Sequence, residues 1–181
     1  MMEPGKKILL GGEIGTGKHS LLFRLQQACP LPVAGVRTVM YRDRIDQETG
    51  GAKIYLYPAS VAPETYPDSE ENYVGACTGR IRHINKETFR KLGLKLLTDI
   101  PKDAAVVIDE IGFFEADVPE YTSRIFALLQ GTHPILAVVK THYEDPFLTA
   151  VRTHPDIQYY EVTKENRETL YEELSALVRK W

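Results

Sequence analysis

The sequence contains few cysteines and no long hydrophobic run. Cys29 and Cys77 are its only cysteines in 181 residues, too few for a disulfide framework, so we expect a reducing compartment. The longest apolar runs are about five residues, whereas a membrane-spanning helix needs roughly 20. Residues 1–7 also lack the apolar segment of a signal peptide. We therefore expect a cytoplasmic protein that has no membrane partner.

The sequence also lacks an excess of positive charge. Its 22 Lys and Arg residues are outnumbered by 25 Asp and Glu residues, which gives a net charge of −3. Proteins that bind nucleic acids usually present a surface rich in Lys and Arg, so the composition argues against a nucleic acid as the main partner. Hydrophobic residues make up 43% of the chain. Together with its length, this fraction predicts one globular domain over residues 1–181.

Apolar strand patterns alternate with helical patterns along most of the chain. The predicted strands include a hairpin and are 6–10, 33–41, 52–57, 104–108, 134–139 and 157–162. The predicted helices are 18–29, 85–100, 119–130, 146–153 and 163–181. This alternation predicts a three-layer α/β fold with a mainly parallel central sheet. Residues 58–75 show no clear period and are predicted to form either a mobile loop or lid, or a solvated excursion.

A glycine-rich segment follows the first predicted strand and opens the first predicted helix. Its pattern, counted from Gly12, is G-x-x-x-x-G-K with the lysine at Lys18. Such a turn directs main-chain amides and a helix N-terminus at phosphate oxygens, and its lysine neutralises the outer phosphates. The alternative is a turn that binds nothing. We predict nucleotide contacts from Gly12, Glu13, Ile14, Gly15, Thr16, Gly17, Lys18, His19 and Ser20.

The residue after the lysine departs from the full phosphate-loop pattern. That position should hold Ser or Thr, whose hydroxyl binds Mg²⁺, but here it holds His19. Ser20 does not simply replace the hydroxyl, because a helix turns about 100° per residue. Imidazole suits Mn²⁺ better than Mg²⁺, which prefers oxygen ligands. We predict that His19 either contacts the metal and shifts its preference, or weakens the metal-dependent activity.

An acidic pair follows the buried strand predicted at 104–108. Asp109 and Glu110 come about 90 residues after Lys18, at the sheet edge where parallel α/β proteins collect ligands. An acid in this place provides the second Mg²⁺ contact in phosphate-loop proteins, so Asp109 is the predicted metal ligand. Glu110 is predicted to activate the attacking water. The alternative for both is the start of a solvated loop.

Four segments carry a resemblance to a known family. They are GEIGTGK at 12–18, GVRT at 35–38, DEIG at 109–112 followed by Glu115, and VTKENR at 162–167. In their order and spacing the chain resembles the small nucleoside-triphosphatase family that includes the cancer-related nucleoside-triphosphatase. The resemblance implies a single-domain P-loop NTPase fold. It also implies slow, Mg²⁺-dependent hydrolysis of several nucleoside triphosphates with a broad base preference.

The resemblance assigns roles to individual residues. It implies that Lys18 holds phosphates, that Asp109 reaches Mg²⁺ directly or through water, and that Glu110 is the catalytic carboxylate. The family has Thr where this chain has His19. Asn166 and Arg167 follow the last strand, where many P-loop folds border the base, so they are candidates for base or sugar contacts. Helix capping and surface pairing are the alternative roles.

Two arginines are further candidates for the phosphate site. Arg80 or Arg82 is a candidate to supply an arginine to the phosphates from within the same chain, as arginine fingers do. The alternative, which we favour, is the solvated edge of a strand. The other histidines lack the spacing of metal ligands.

Two other functions share this loop and architecture. A nucleotide or small-molecule kinase needs a second substrate site and usually an arginine-rich lid, whereas residues 58–75 are acidic. A degenerate nucleotide-binding module with little turnover is favoured by His19. The sequence indicates no protein partner.

Overall fold

The strands of the protein form one central sheet. The computed structural model describes residues 6–79, 81–142 and 144–181, and in these ranges eight strands are hydrogen-bonded side by side. Labelled β1 to β8, they are Lys7–Gly11, Val33–Ile45, Ala52–Pro58, Tyr73–Thr78, Ile81–Ile84, Ala105–Ile111, Ile135–Val139 and Gln158–Glu161. Their order across the sheet is β5-β4-β3-β2-β6-β7-β1-β8. The half from β2 to β8 is parallel, and β3, β4 and β5 extend it with antiparallel pairs.

Helices cover the sheet on both faces. They are α1 (Lys18–Ala28), α2, α3 (Pro119–Gln130), α4 (Pro146–Arg152) and α5 (Arg167–Val178). Helix α2 is a continuous stretch made of Lys86–Thr88, the π-helical Phe89–Gly93 and Leu94–Thr98. Helices α1 and α5 pack in one hydrophobic cluster, and α2, α3 and α4 pack in the other. The predicted three-layer α/β fold with a mainly parallel sheet is confirmed. Within the described ranges, every helix is too short or too polar to span a bilayer.

The central strands explain why a continuous apolar run predicts this fold. Along β6, Val106 and Ile108 belong to one core cluster while Val107 belongs to the other. Alternate side chains of a strand point to opposite faces of the sheet, so a strand covered on both faces needs apolar residues at every position. At about 25 cal/mol per Å² of buried apolar surface, these runs are a major source of stability.

Strand β6 is longer than the sequence pattern predicts. The prediction ended it at Ile108, but it continues to Ile111, so Asp109 and Glu110 lie within its last residues and not after it. Asp109 is aligned with Arg37 of β2, and Ile111 is aligned with Val139 of β7 after an irregularity in register. Ile111, where the pairing with β7 resumes, is fully buried.

The antiparallel half of the sheet differs most from the prediction. Strand β2 runs to Ile45, beyond the predicted end at Tyr41, and β4 was not predicted as a strand. Strand β5 is the edge of the sheet and is the strand edge that the sequence analysis favoured for Arg82. The last residues of the segment predicted as a loop, 73–75, belong to β4. The rest of that segment contacts the β2–β3 hairpin, because Asp68 Oδ2 accepts from Arg44 Nη1 at 2.7 Å. Its closure over a ligand stays a prediction.

One predicted helix start is confirmed, and the bounds of the last helix are corrected. Asn85 caps α2 as predicted, since its Oδ1 accepts from the main-chain N–H of Glu87 at 3.1 Å. The last helix begins at Arg167 and ends at Val178, inside the predicted range of 163–181. Thr163 nevertheless organises its approach. Its Oγ1 accepts from Asn166 N, and its own N–H donates to Asn166 Oδ1, the reciprocal pattern of a capping box.

Candidate functional site

The turn between β1 and α1 requires glycine for steric reasons. Gly12 has φ 130° and Gly17 has φ 89°, a region that residues with a Cβ rarely adopt. A Cβ at Gly12 would lie 2.4 Å from the carbonyl oxygen of Val162, and one at Gly17 would lie 2.5 Å from Arg167 Nη1. The chain that leaves β8 therefore packs directly against this turn. The structure places all the turn residues predicted from the sequence in one loop that leads into a helix N-terminus.

Lys18 folds back over the turn. Its Nζ donates to the carbonyl oxygens of Gly12 at 2.7 Å and Glu13 at 2.6 Å, and the residue is only 7% exposed. Burial lowers the pKa of Lys18, and the charges of Glu110 and Glu161 oppose that shift. A phosphate is a stronger partner for an ammonium group than two neutral carbonyls, because a hydrogen bond between two charged groups is stronger than one to a neutral acceptor. The arrangement suits a lysine that turns to a bound anion.

The remaining turn residues differ in exposure. Thr16 is buried and its Oγ1 donates to the carbonyl of Glu13 at 2.9 Å, which tightens the loop. Ile14 is 71% exposed. Glu13, Gly15, His19 and Ser20 are also exposed. The rim of the loop is therefore open to a ligand.

His19 lies directly against the acidic pair. Its Nδ1 is 2.5 Å from Asp109 Oδ1, and its Nε2 is 3.6 Å from Glu110 Oε2. The hydrogen bond to Asp109 is the main cause that raises the pKa of His19 above 6.5, although burial opposes it. The His19 side chain remains 56% exposed, whereas that of Asp109 is 7% exposed. The two predicted metal ligands are thus brought together, and they contact each other.

Arg37 is a site residue that the sequence analysis did not single out. Its Nε is 3.3 Å from Asp109 Oδ2, and its Nη2 donates to Gln26 Oε1 at 2.7 Å. The residue is 8% exposed, and its two contacts link the C-terminal end of α1 to the acidic strand. The sequence does contain a sign of this role. Arg37 interrupts the apolar run of β2, and a charged residue is costly to bury without a partner.

Lys140 is the second site residue that the sequence analysis missed. It follows β7 directly, and its Nζ is 3.1 Å from Glu110 Oε1. Strand β7 lies between β6 and β1, so this lysine sits between the acidic pair and the phosphate-loop strand. No sequence motif marks Lys140, and its place in the site becomes clear only from the strand order.

Glu115 is buried behind the acidic pair. It is 3% exposed, and its Oε1 accepts from the main-chain N–H of Gly112 at 2.8 Å. Burial raises the pKa of Glu115 to about 8, against an ordinary value of 4.5. The bond to Gly112 fixes the turn that follows Glu110, which accounts for the spacing of Glu115 after DEIG.

Asn166 and Arg167 have different surroundings. The Asn166 amide is used inside its own turn, because Nδ2 donates to the carbonyl of Glu161 at 2.8 Å and Oδ1 accepts from Thr163 N at 2.8 Å. Arg167 instead lies against Gly17 of the phosphate loop, and its Nε is 3.6 Å from Glu168 Oε1. The capping alternative describes Asn166, while Arg167 borders the predicted nucleotide site.

Of the two candidate arginines, Arg80 lies outside the described residues and Arg82 lies on β5. The guanidinium carbon of Arg82 is 3.5 Å from the ring centroid of Phe113, in the turn just after Glu110. A Phe113 contact thus brings Arg82 from the edge of the sheet towards the acidic strand.

The residues at this edge fit a metal ion that arrives with phosphate ligands. Within residues 6–79, 81–142 and 144–181, no group of three or more His, Cys, Asp and Glu side chains is arranged to hold a metal ion. Each Asp109 oxygen faces a nitrogen, at 2.5 Å from His19 and 3.3 Å from Arg37. Mg²⁺ commonly keeps several waters and takes one or two carboxylates plus substrate phosphates. A carboxylate from Asp109 matches that donor set.

Comparisons with known proteins agree with this architecture. The sequence profile of the NTPase family matches residues 7–175. A nucleoside-triphosphatase THEP1 of Hyperthermus butylicus is 31% identical over 175 residues, which covers 95% of this chain and 90% of that protein. The cancer-related nucleoside-triphosphatase homolog of Mus musculus is 25% identical over 199 residues, covering 96% and 97% of the two chains.

A solved structure has the same fold. The crystal structure of THEP1 from Aquifex aeolicus superposes with a TM-score of 0.70 and 18% identity, over 95% of this chain and 98% of that one. The profile spans nearly the whole chain, and it contains both the glycine-rich turn and the acidic pair that face each other here. The chain belongs to the NTPase family.

Proposed function

We propose that the protein binds a nucleoside triphosphate at the carboxyl edge of the sheet and hydrolyses it to the diphosphate and phosphate. The observation that carries the proposal is that the glycine-rich turn lies against the acidic pair, since His19, next to Lys18, has its Nε2 3.6 Å from Glu110 Oε2. This contact brings Lys18 and Glu110 into one site. One is placed to hold phosphate, and the other is a carboxylate able to take a proton from water. Membership of a family with relatives named nucleoside-triphosphatase supports the same reaction.

The chain's own residues divide the work. Lys18 exchanges its two carbonyl partners for phosphate oxygens, and the amides of the turn and of α1 contact the remaining oxygens. Glu110 orients the water and accepts its proton. Mg²⁺ or Mn²⁺, when bound, neutralises phosphate charge, and Asp109 holds it directly or through water. Arg37 keeps the Asp109 carboxylate in place through its contact at 3.3 Å.

Turnover is proposed to be slow and the base preference broad. Slow turnover follows from His19, because it puts an imidazole where a hydroxyl would ligate Mg²⁺ and pairs with Asp109 at 2.5 Å. The broad base preference follows from Asn166, whose amide is already bonded within its own turn. The guanidinium of Arg167 offers donors and no acceptor.

A degenerate nucleotide-binding module is the second candidate. It is favoured by the same contact of His19 with Asp109, since a carboxylate already paired with imidazole is less available to a metal. A kinase is less favoured, because the segment 59–72 contributes acidic residues such as Asp68, Glu70 and Glu71 and no arginine.

The test is phosphate release from ATP, GTP, CTP and UTP without an acceptor, with Mg²⁺ and with Mn²⁺. The proposal expects release from several of these nucleotides. It also expects Lys18→Ala to weaken binding of a non-hydrolysable triphosphate by roughly ten- to a hundredfold, the cost of losing about 1.5–3 kcal/mol from a charged hydrogen bond. Tight binding without release would select the module, and transfer only to an added acceptor would select a kinase. Equal affinity in both proteins would refute the phosphate-loop assignment.

A further inference from the structure

Lys140 is held between the two motifs of the site by the main chain around it. Its own N–H donates to the carbonyl of Ile111 at 3.0 Å, at the end of the strand that carries the acidic pair. The next residue, Thr141, donates through Oγ1 to the carbonyl of Gly12 at 3.3 Å. One dipeptide therefore bonds to both the acidic strand and the phosphate loop.

The side chain of Lys140 is packed as well as charged. Its ammonium group lies 4.5 Å from the ring centroid of Phe113 and 4.9 Å from that of Phe114, within the range of cation–π attraction. Its stem passes Gly112, where a Cβ would lie 3.5 Å from Lys140 Cδ. The side chain is 15% exposed. A lysine that serves only solubility would extend into water, whereas this one is fixed from several sides.

The ammonium groups of Lys18 and Lys140 belong to neighbouring parts of the site. Lys18 Nζ donates to the carbonyl of Gly12 at 2.7 Å, and the same carbonyl accepts from Thr141, the residue after Lys140. The Glu110 carboxylate lies 3.1 Å from Lys140 Nζ. An additional anion placed between the lysines would relieve their repulsion. The terminal phosphate of a nucleotide seated on the glycine-rich turn is such an anion.

We propose that Lys140 is a catalytic residue that contacts the terminal phosphate and supplies, from the same chain, the second positive charge for hydrolysis. This inference rests on the proposed function. The water oxygen forms a bond to the γ-phosphorus while the bond from that phosphorus to the bridging oxygen breaks, and the electron pair leaves with the diphosphate. The water proton goes to Glu110. Lys140 neutralises charge on the transferred group and, by leaving Glu110 Oε1, frees that oxygen to accept the proton.

A purely structural role predicts different behaviour. If Lys140 only held the turn after β6, its loss would lower stability and weaken every nucleotide complex alike. A contact that matters most in the transition state instead lowers the rate more than it lowers ground-state binding. Comparing affinity for a ground-state analogue with affinity for a transition-state analogue therefore separates these roles.

The experiment compares wild type with Lys140→Met, Lys140→Arg and a control, Lys102→Met. Met keeps most of the apolar stem, Arg keeps the charge, and the exposed Lys102 lies at the opposite end of β6. Turnover is measured together with calorimetric affinity for two ligands in Mg²⁺. One is a non-hydrolysable triphosphate, and the other is the diphosphate with aluminium fluoride, which mimics the transferred phosphoryl group.

For Lys140→Met we expect turnover and affinity for the aluminium fluoride complex to fall together by about 10²–10³-fold, as when a preorganised electrostatic contact is removed. Affinity for the non-hydrolysable triphosphate should fall less than about tenfold, Lys140→Arg should recover part of the loss, and Lys102→Met should match wild type. Unchanged turnover and fluoride-complex affinity in Lys140→Met would overturn the role of Lys140 alone. Equal losses for both ligands, without rescue by Arg, would also overturn it. If wild type released no phosphate, the proposed function and this inference would fail together.

Discussion

The carboxyl edge of the sheet and the antiparallel half use charged residues in opposite ways. The antiparallel half contains a tyrosine cluster formed by Tyr41, Tyr55, Tyr57, Tyr66 and Tyr73, whose neighbouring rings are 5.3–6.3 Å apart. There, acids accept from nearby hydroxyls and amides, and Asp68 also accepts from the Arg44 guanidinium. Asp68 accepts from Tyr57 at 2.6 Å, and Asp46 accepts from Tyr73 at 3.0 Å and from Thr49 N at 2.9 Å.

At the carboxyl edge, by contrast, the charges share partners. Glu110 faces both Lys140 and His19, and Asp109 faces both His19 and Arg37. Lys18 bonds to neutral carbonyls although it carries a charge. The first set of acids therefore completes a local fold, whereas we expect the second set to meet a charged ligand.

Glu110→Gln should keep nucleotide binding and lose most turnover. The change preserves shape and removes the base, and general acid–base catalysis contributes about 10²–10⁴-fold. Single-turnover rates and calorimetric affinity measure the two properties. Glu48→Gln is the matched control, because Glu48 is exposed in the β2–β3 turn. An unchanged chemical rate in Glu110→Gln would move the catalytic role to another residue.

Glu115→Gln should make stability less dependent on pH. Because the pKa of Glu115 is raised to about 8 from 4.5, the folded state binds more protons than the unfolded state between these values. Its contribution is therefore fully present below pH 4.5 and is lost as pH rises through about 8. As pH rises through this window, the free energy of unfolding of wild type should fall by about 2–5 kcal/mol relative to that of Glu115→Gln.

Urea unfolding of both proteins at a series of pH values measures this change. The Gln side chain keeps an oxygen that accepts from Gly112, so the turn after Glu110 is preserved in the comparison. Parallel stability curves from pH 5 to pH 9 would show that Glu115 ionises normally and that its burial has been misread.

Asp68→Ala should reduce stability and leave turnover unchanged. It removes the acceptor of the Tyr57 hydroxyl at 2.6 Å and of Arg44 Nη1 at 2.7 Å, and losing a hydrogen bond to a charged group costs about 1.5–3 kcal/mol. Asp68→Asn keeps an acceptor oxygen and should cost less. Chemical unfolding and phosphate release are measured on the same samples. Lost turnover at full stability would make the tyrosine cluster part of the site, against the contrast drawn here.

His19→Thr should raise the Mg²⁺-supported rate by several-fold, a gain of about 1 kcal/mol in barrier height. Thr provides a hard oxygen ligand, and the change releases Asp109 from its 2.5 Å contact with imidazole. Wild type should favour Mn²⁺ or Co²⁺ over Mg²⁺ more than the variant does. Turnover across a metal series at fixed pH decides it. If wild type already runs best on Mg²⁺ and the variant keeps both rate and metal order, His19 does not tune the metal.

The same contrast explains what the sequence could predict. The parallel half was accessible because doubly buried strands are apolar at every position and the glycine-rich turn has a fixed spacing from Lys18. In the antiparallel half the predicted β2–β3 hairpin is confirmed, but β4 was not predicted, since GACT mixes glycine with buried and exposed residues. The segment IRHI of β5 was recognised only as the edge of a strand. Arg37 and Lys140 were missed for a related reason. Their partners are distant in sequence, and only the order β2-β6-β7-β1 brings them together.

The most direct test of the account is a crystal structure with a non-hydrolysable triphosphate. We predict that the main-chain amides of Gly15–Lys18 donate to the β- and γ-phosphates. We also predict that Lys18 Nζ moves from the carbonyls of Gly12 and Glu13 to phosphate oxygens, and that the tyrosine cluster keeps its hydroxyl bonds. A triphosphate bound elsewhere, or Lys18 still on its two carbonyls with the nucleotide present, would contradict the claim that this edge is arranged for phosphate.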